Sequence, residues 1–82
     1  MTKSRDKLID AICNNPRDVR FTDACKVAEW LGFDGPRVKG SHTFYSRRGE
    51  RVVLNFQSRR GRISTYQADQ LVDMIKKYWS KP

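Results

Sequence analysis

The apolar residues change their spacing twice along this chain, and that double switch constrains the fold more than any other feature. Leu8, Ile9 and Ile12, with Ala11, form a stripe at helical spacing, as do Ala24, Val27, Ala28 and Leu31. Between Arg37 and Gln57 the helical spacing gives way to strand-like runs, clearest at Val52, Val53, Leu54 and Phe56. Helical spacing then returns with Ala68, Leu71, Val72 and Ile75, and runs on to Tyr78 and Trp79. This order predicts a small antiparallel sheet covered on one face by the last two helices, an α+β sandwich with an extra helix in front. The other face of the sheet is left open.

Local signals place the boundaries. The first helix is expected over 3–14, capped by Ser4 or Thr2 and stopped at Asn14-Asn15-Pro16, because a residue before proline is pushed out of the α region. Residues 17–21 read as a polar connector. The second helix is expected to start at Thr22 as N-cap, with Asp23 in its first turn where a negative charge suits the dipole. Gly32 ends it in a left-handed conformation. Phe33-Asp34-Gly35-Pro36 reads as a turn. Arg37 to Ser46 reads as one strand, or as two if Gly40 interrupts it. Arg47-Arg48-Gly49-Glu50 is a tight turn, Arg51–Gln57 a strand, and Ser58–Arg62 a basic loop. Thr65 or Ser64 caps the third helix, and Lys76 and Lys77 complement its C-terminal dipole.

The chain has 82 residues, which predicts one domain over 1–82, with the strands and their two helices at 22–79. Its net charge is +8, and the distribution matters more than the total. From Arg37 to Arg62 there are eight basic residues (Arg37, Lys39, Arg47, Arg48, Arg51, Arg59, Arg60, Arg62) against Glu50 alone, which is +7; the remainder carries nine basic and eight acidic residues, which is +1. A field so localised suits docking to a polyanion, with nucleic acid the default. An anionic membrane fits less well, because the basic stretch is not an amphipathic helix. No run approaches the roughly 20 apolar residues of a membrane helix, and the first basic residues are not followed by an apolar run. Cys13 and Cys25 match no zinc or redox spacing, so they are expected to be buried free thiols in a reducing, cytoplasmic compartment.

One titratable group stands out. His42 is the only histidine, within Gly40-Ser41-His42-Thr43-Phe44-Tyr45. Imidazole exchanges a proton near neutral pH, which suits chemistry on a phosphodiester. The plainer alternative is a strand histidine meeting a local hydrogen bond. Strand alternation sends His42 and Phe44 to one face and Ser41, Thr43 and Tyr45 to the other. One of Phe44 and Tyr45 is therefore core, and the other is free to stack on a base. Lys39 would lie on the face opposite His42 unless Gly40 breaks the strand.

Several stretches together resemble the HicA toxins, small RNA-cleaving proteins of type II toxin–antitoxin systems. They are Asn15–Asp23, Leu31-Gly32-Phe33, Val38–Tyr45, Val53–Gln57 and Tyr66–Val72, covering roughly residues 15–76. The resemblance implies a fold similar to the double-stranded RNA-binding domain and a paired HicB-like antitoxin. It also implies mRNA cleavage without metal or cofactor, and its catalytic histidine maps onto His42. Many members carry a second histidine next; here the position is Thr43. The helix over 3–14 extends beyond the minimal family unit.

The implied reaction removes the proton from a ribose 2′-OH, which attacks the adjacent phosphate, and then protonates the leaving 5′-oxygen. Lys39 or Arg47 would stabilise the developing charge. Arg48, Arg59, Arg60 and Arg62 would contact phosphates, and Gly40 and Ser41 would shape the backbone beside His42. Arg59, Arg60 and Arg62 would equally suit an acidic protein partner such as the antitoxin. One histidine and scattered carboxylates give no recognisable metal-ligand set. Three readings stand at this level: a HicA-like ribonuclease, a non-catalytic RNA-binding module of the same fold, and a basic protein-interaction domain.

Overall fold

A computed structural model describes the backbone of residues 2–79 and the side chains of residues 5–79. It contains α1 (Thr2–Asn14), α2 (Phe21–Trp30), β1 (Asp34–Lys39), β2 (His42–Ser46), β3 (Leu54–Gln57) and α3 (Thr65–Tyr78). The strands form one antiparallel sheet in the order β1-β2-β3. Helix α2 packs on β1 and β3, α3 packs on β3, and α1 packs on α3. The coarse expectation of an α+β sandwich is met. Capping of α1 by Ser4 or Thr2 lies outside the described side chains.

The core follows the stripes. Ala24, Val27, Ala28 and Leu31 of the α2 face are buried, as are Ala68, Leu71 and Ile75 of α3, with Met74 beside them. They meet Tyr45, Leu54 and Phe56 from the sheet. Each fully buried side chain such as Leu71 or Phe56 contributes about 1.5–3 kcal/mol relative to exposure. Ile9 and Ile12 extend the core under α1, and Trp79 Nε1 donates to Asp6 Oδ1 at 3.1 Å to hold α1 against the end of α3. Cys13 and Cys25 are in no disulfide and are only half-buried, unlike the full burial expected of them.

Several boundaries move, each for a visible reason. Helix α2 starts at Phe21 with Arg20 as its N-cap and no capping side chain, so Thr22 lies inside the first turn. Backbone pairing fixes this entry instead: Phe21 N donates to Gly61 O at 2.8 Å and Ile63 N donates to Val19 O at 3.0 Å. At the other end, Gly32 has φ +86°, its N–H reaches Glu29 O, and Phe33 N–H reaches Ala28 O, which is a Schellman closure. Strand β1 starts at Asp34 rather than Arg37 and carries a bulge at Gly35-Pro36. A Cβ on Gly35 would sit 2.8 Å from Phe44 O and 2.6 Å from the Tyr45 ring, so the crossing needs glycine. Proline is tolerated because β1 is an edge strand. Strand β3 starts at Leu54 rather than Arg51, since Glu50 Oε2 takes the Val52 N–H at 2.9 Å and holds that segment as loop. Ser64, not Thr65, caps α3, in a capping box with Gln67.

Candidate active site on the open face of the sheet

Gly40 and Ser41 form the two-residue loop of a hairpin, with Lys39 directly opposite His42. Gly40 takes φ +61° and Ser41 does not share that sign, the pattern of a type II′ turn that matches strand twist. A turn this tight makes Lys39 and His42 cross-strand partners on one face. Gly40 thus interrupts the strand, and the alternation that would separate Lys39 from His42 does not apply.

The register then writes two rows across the open face. The first is Lys39, His42 and Gln57; the second is Arg37, Phe44 and Asn55. Thr43 and Tyr45 point the other way and are buried, so Phe44 is the aromatic residue left on the open side. Cations therefore line the β1 edge, rings occupy the middle strand, and carboxamides lie on β3. His42 and Phe44 stack with centroids 6.1 Å apart and planes at 25°.

Asn55 decides what His42 can do. The Nδ1 of His42 lies 3.1 Å from Asn55 Oδ1, a diagonal contact between neighbouring rows. An amide oxygen only accepts, so Nδ1–H donates, and the neutral ring keeps its lone pair on Nε2. A ring fixed in that tautomer is ready to take a proton at Nε2. Sequence reasoning had passed over Asn55 as a site residue. Its signal is a poor strand-former set between Leu54 and Phe56, at the position alternation sends away from the core.

The supports of this row are themselves connected. Gln57 Nε2 donates to Ser41 Oγ at 3.0 Å, and Gln67 Oε1 accepts from Gln57 N at 3.1 Å and from Ser64 N at 3.4 Å. The capping box of α3 is thereby tied to the strand end opposite His42.

The other basic residues divide between the two ends of the sheet. Arg59, Arg60, Gly61 and Arg62 form a second tight hairpin just beyond Gln57, closed by Arg59 N to Arg62 O at 2.8 Å and Arg62 N to Arg59 O at 3.0 Å. Arg60 at φ 55° and Gly61 at φ 83° give it the sign pattern of a type I′ turn. Arg59 and Arg60 are exposed there, at His42's end, while Arg62 pairs with Asp18. Arg47 and Arg48 follow β2, about 16 Å from His42 at the strand's rise per residue. The Arg47 guanidinium donates to Leu31 O and lies 4.0 Å from the Tyr78 ring centroid, which occupies it in holding helix ends together. Arg48 is exposed.

At that far end Glu50 accepts from Lys77 and from the Tyr78 hydroxyl. Those bonds, Lys77 first, and the Val52 N–H hold its carboxyl at about 2. Cys25 touches Tyr45, and burial pushes its thiol up, away from the nucleophilic thiolate. Among the described residues no group of three His, Cys, Asp or Glu side chains gathers in one place. No described helix is long and apolar enough to cross a membrane. No family model, curated protein or solved structure matches the chain.

Proposed function

We propose that the protein is a metal-independent endoribonuclease of the HicA toxin type. In this reading it has a fold like the double-stranded RNA-binding domain, acts on mRNA in the cytoplasm, and is held inactive by a HicB-like antitoxin over the open face. The observation that carries the reading is the Lys39–His42 row with Asn55 holding Nδ1. A binding module has no need of an imidazole whose proton-accepting nitrogen is fixed.

His42 Nε2 takes the proton of a ribose 2′-OH, and the freed oxygen attacks the adjacent phosphorus. The P–O5′ bond breaks, leaving a 2′,3′-cyclic phosphate, and the 5′-oxygen takes a proton from water. Lys39, across the strand from His42, offsets the charge that builds on the phosphoryl oxygens. Arg37, Arg59 and Arg60 hold the backbone on either side, which makes binding depend steeply on salt.

The test is incubation of the purified protein with single-stranded RNA in chelator, beside His42→Ala. Wild type is expected to cleave and the variant to bind without cleaving. Equal cleavage by both overturns the assignment of His42. Binding without cleavage by either favours the second reading, a non-catalytic RNA-binding module, for which Tyr66, 73% exposed on α3 near Phe44, speaks independently.

A further inference from the structure

Beside the His42–Asn55 pair the sheet and α3 enclose a groove of about 390 Å³, lined by Phe44, Val53, Asn55, Tyr66, Gln67 and Gln70. It shares Phe44 and Val53 with the neighbouring, mainly apolar depression of about 350 Å³, to which Arg37, Val38, Lys39 and Ser46 also contribute. The β1 side of Phe44 thus adds two cations to an apolar floor, and the α3 side adds a ring and carboxamides. Asn55 spends its oxygen on His42, while its Nδ2 and the Gln70 amide take no protein partner among the described residues. Tyr66 and Val53 are exposed at the rim. Apolar and aromatic walls with a few unspent polar groups are what a planar ring with a hydrogen-bonding edge requires.

We propose that this groove is a nucleobase subsite, holding one unpaired base of an RNA strand against Phe44 and Tyr66, with the Asn55 and Gln70 amides on the base's edge. The proposal rests on the RNA reading above and deepens it. The phosphates on one side of that nucleotide lie over Arg37 and Lys39, and its ribose is brought beside His42. Charge complementarity selects the occupant: the cationic side fits a polyanionic backbone, and an acidic peptide would leave the aromatic and amide side without a partner. Asn55 takes a double role, since the residue that fixes the His42 ring also touches the base. Base occupancy and chemistry are thus linked through one side chain.

The experiment measures binding to two heptamers that lack a 2′-OH nucleophile. One is a 2′-O-methyl strand of mixed sequence, and the other an abasic strand with the same number of phosphates. Wild type is expected to prefer the base-bearing strand by about tenfold, the usual scale of a base–aromatic stack. Tyr66→Ala and Gln70→Ala are each expected to reduce that preference severalfold and to leave the abasic strand's affinity unchanged. Both changes suit the fold, because Tyr66 is exposed and alanine favours a helix. Arg37→Ala is expected to weaken both strands alike. Equal affinity for the two strands, or a preference that survives in both α3 variants, overturns the subsite. Failure to bind either strand overturns it together with the RNA reading. Intact preference without cleavage of ordinary RNA sinks the His42 chemistry alone and supports the subsite.

Discussion

Asn55→Ala removes the oxygen that accepts the His42 Nδ1–H at 3.1 Å and changes no charge. The bond joins two neutral, half-buried groups, so its net worth is about 0.5–1.5 kcal/mol. If that hold is what keeps Nε2 aimed at the substrate, its loss appears in the chemical step. At about 1.36 kcal/mol per factor of ten, kcat should fall roughly 2- to 13-fold. Loss of the base contact adds a rise in KM, which a single-turnover assay at saturating RNA removes. Asn55→Asp carries the sharper readout. A carboxylate against the ring favours the protonated imidazolium, so a larger share of the protein lacks a base at a given pH. The acid limb of the kcat profile should move to higher pH by about one unit. The assay is cleavage of a quenched fluorescent oligoribonucleotide in chelator from pH 5 to 9, with kcat and KM separated at each pH. Melting temperature is the control, and asparagine is a poor strand-former, so neither variant should lose the fold. An Asn55→Ala variant within twofold of wild type, together with an unmoved limb in Asn55→Asp, would refute the argument that Asn55 positions His42.

Two predictions concern the frame around the site. Gln67→Ala removes the acceptor for both Ser64 N and Gln57 N, which should cost about 2 kcal/mol and lower the melting temperature by roughly 8–16 °C; calorimetry showing less than a few degrees would mean that the cap-to-strand link is energetically silent. Glu50→Gln tests the far end. Glu50's carboxyl falls from the ordinary 4.5 to about 2 on folding, so its contribution is complete above pH 4.5 and is lost as pH falls toward 2. Lys77 and Tyr78 titrate higher in the folded protein, chiefly through their bonds to Glu50, so their share is present at neutral pH and is lost at alkaline pH. Urea unfolding should show wild type ahead of Glu50→Gln at pH 7 and the gap closing between pH 4.5 and 2; a gap that does not change with pH removes the charge from the explanation.

What could be read along the chain was whatever neighbouring residues decide. Ala24, Val27, Ala28 and Leu31 face inward because helical spacing puts them on one stripe, and Gly32 closes α2 because its positive φ is local. What could not be read was decided across the fold. The start of α2 depends on Val19 and Phe21 pairing with Ile63 and Gly61, forty or more positions away. The start of β3 depends on a Glu50 carboxylate that local β-propensity does not weigh. Lys39's face depends on whether two residues make a turn or a kink, and a one-position difference sends a strand's side chains to the opposite face.

The same reasoning explains why the basic block misstates the field at His42. Counted in sequence, residues 37–62 form one patch of +7. An up-and-down sheet sends its successive turns to opposite ends, so the patch is cut in two. Arg47 and Arg48 leave with the β2–β3 turn, where Arg47 is held by Leu31 O and the Tyr78 ring. Arg62 is neutralised by Asp18. Lys39, Arg59 and Arg60 stay at His42's end, with Arg37 one row back. Arg37 and Lys39 on the β1 edge and carboxamides on β3, with Arg59 and Arg60 just past the end of β3, give the open face a direction, which a uniform basic face lacks. On the proposed RNA reading, a strand laid across it would meet the β1 cations first and the base groove second, with His42 and Phe44 between them. Asn55 belongs to that pattern because the β2–β3 connection fixes the register that pairs it with Phe44 and brings it diagonally to His42. Its own neighbourhood marks it only as a polar residue on the open face; its contact with His42 is decided by that register, thirteen positions away in the chain.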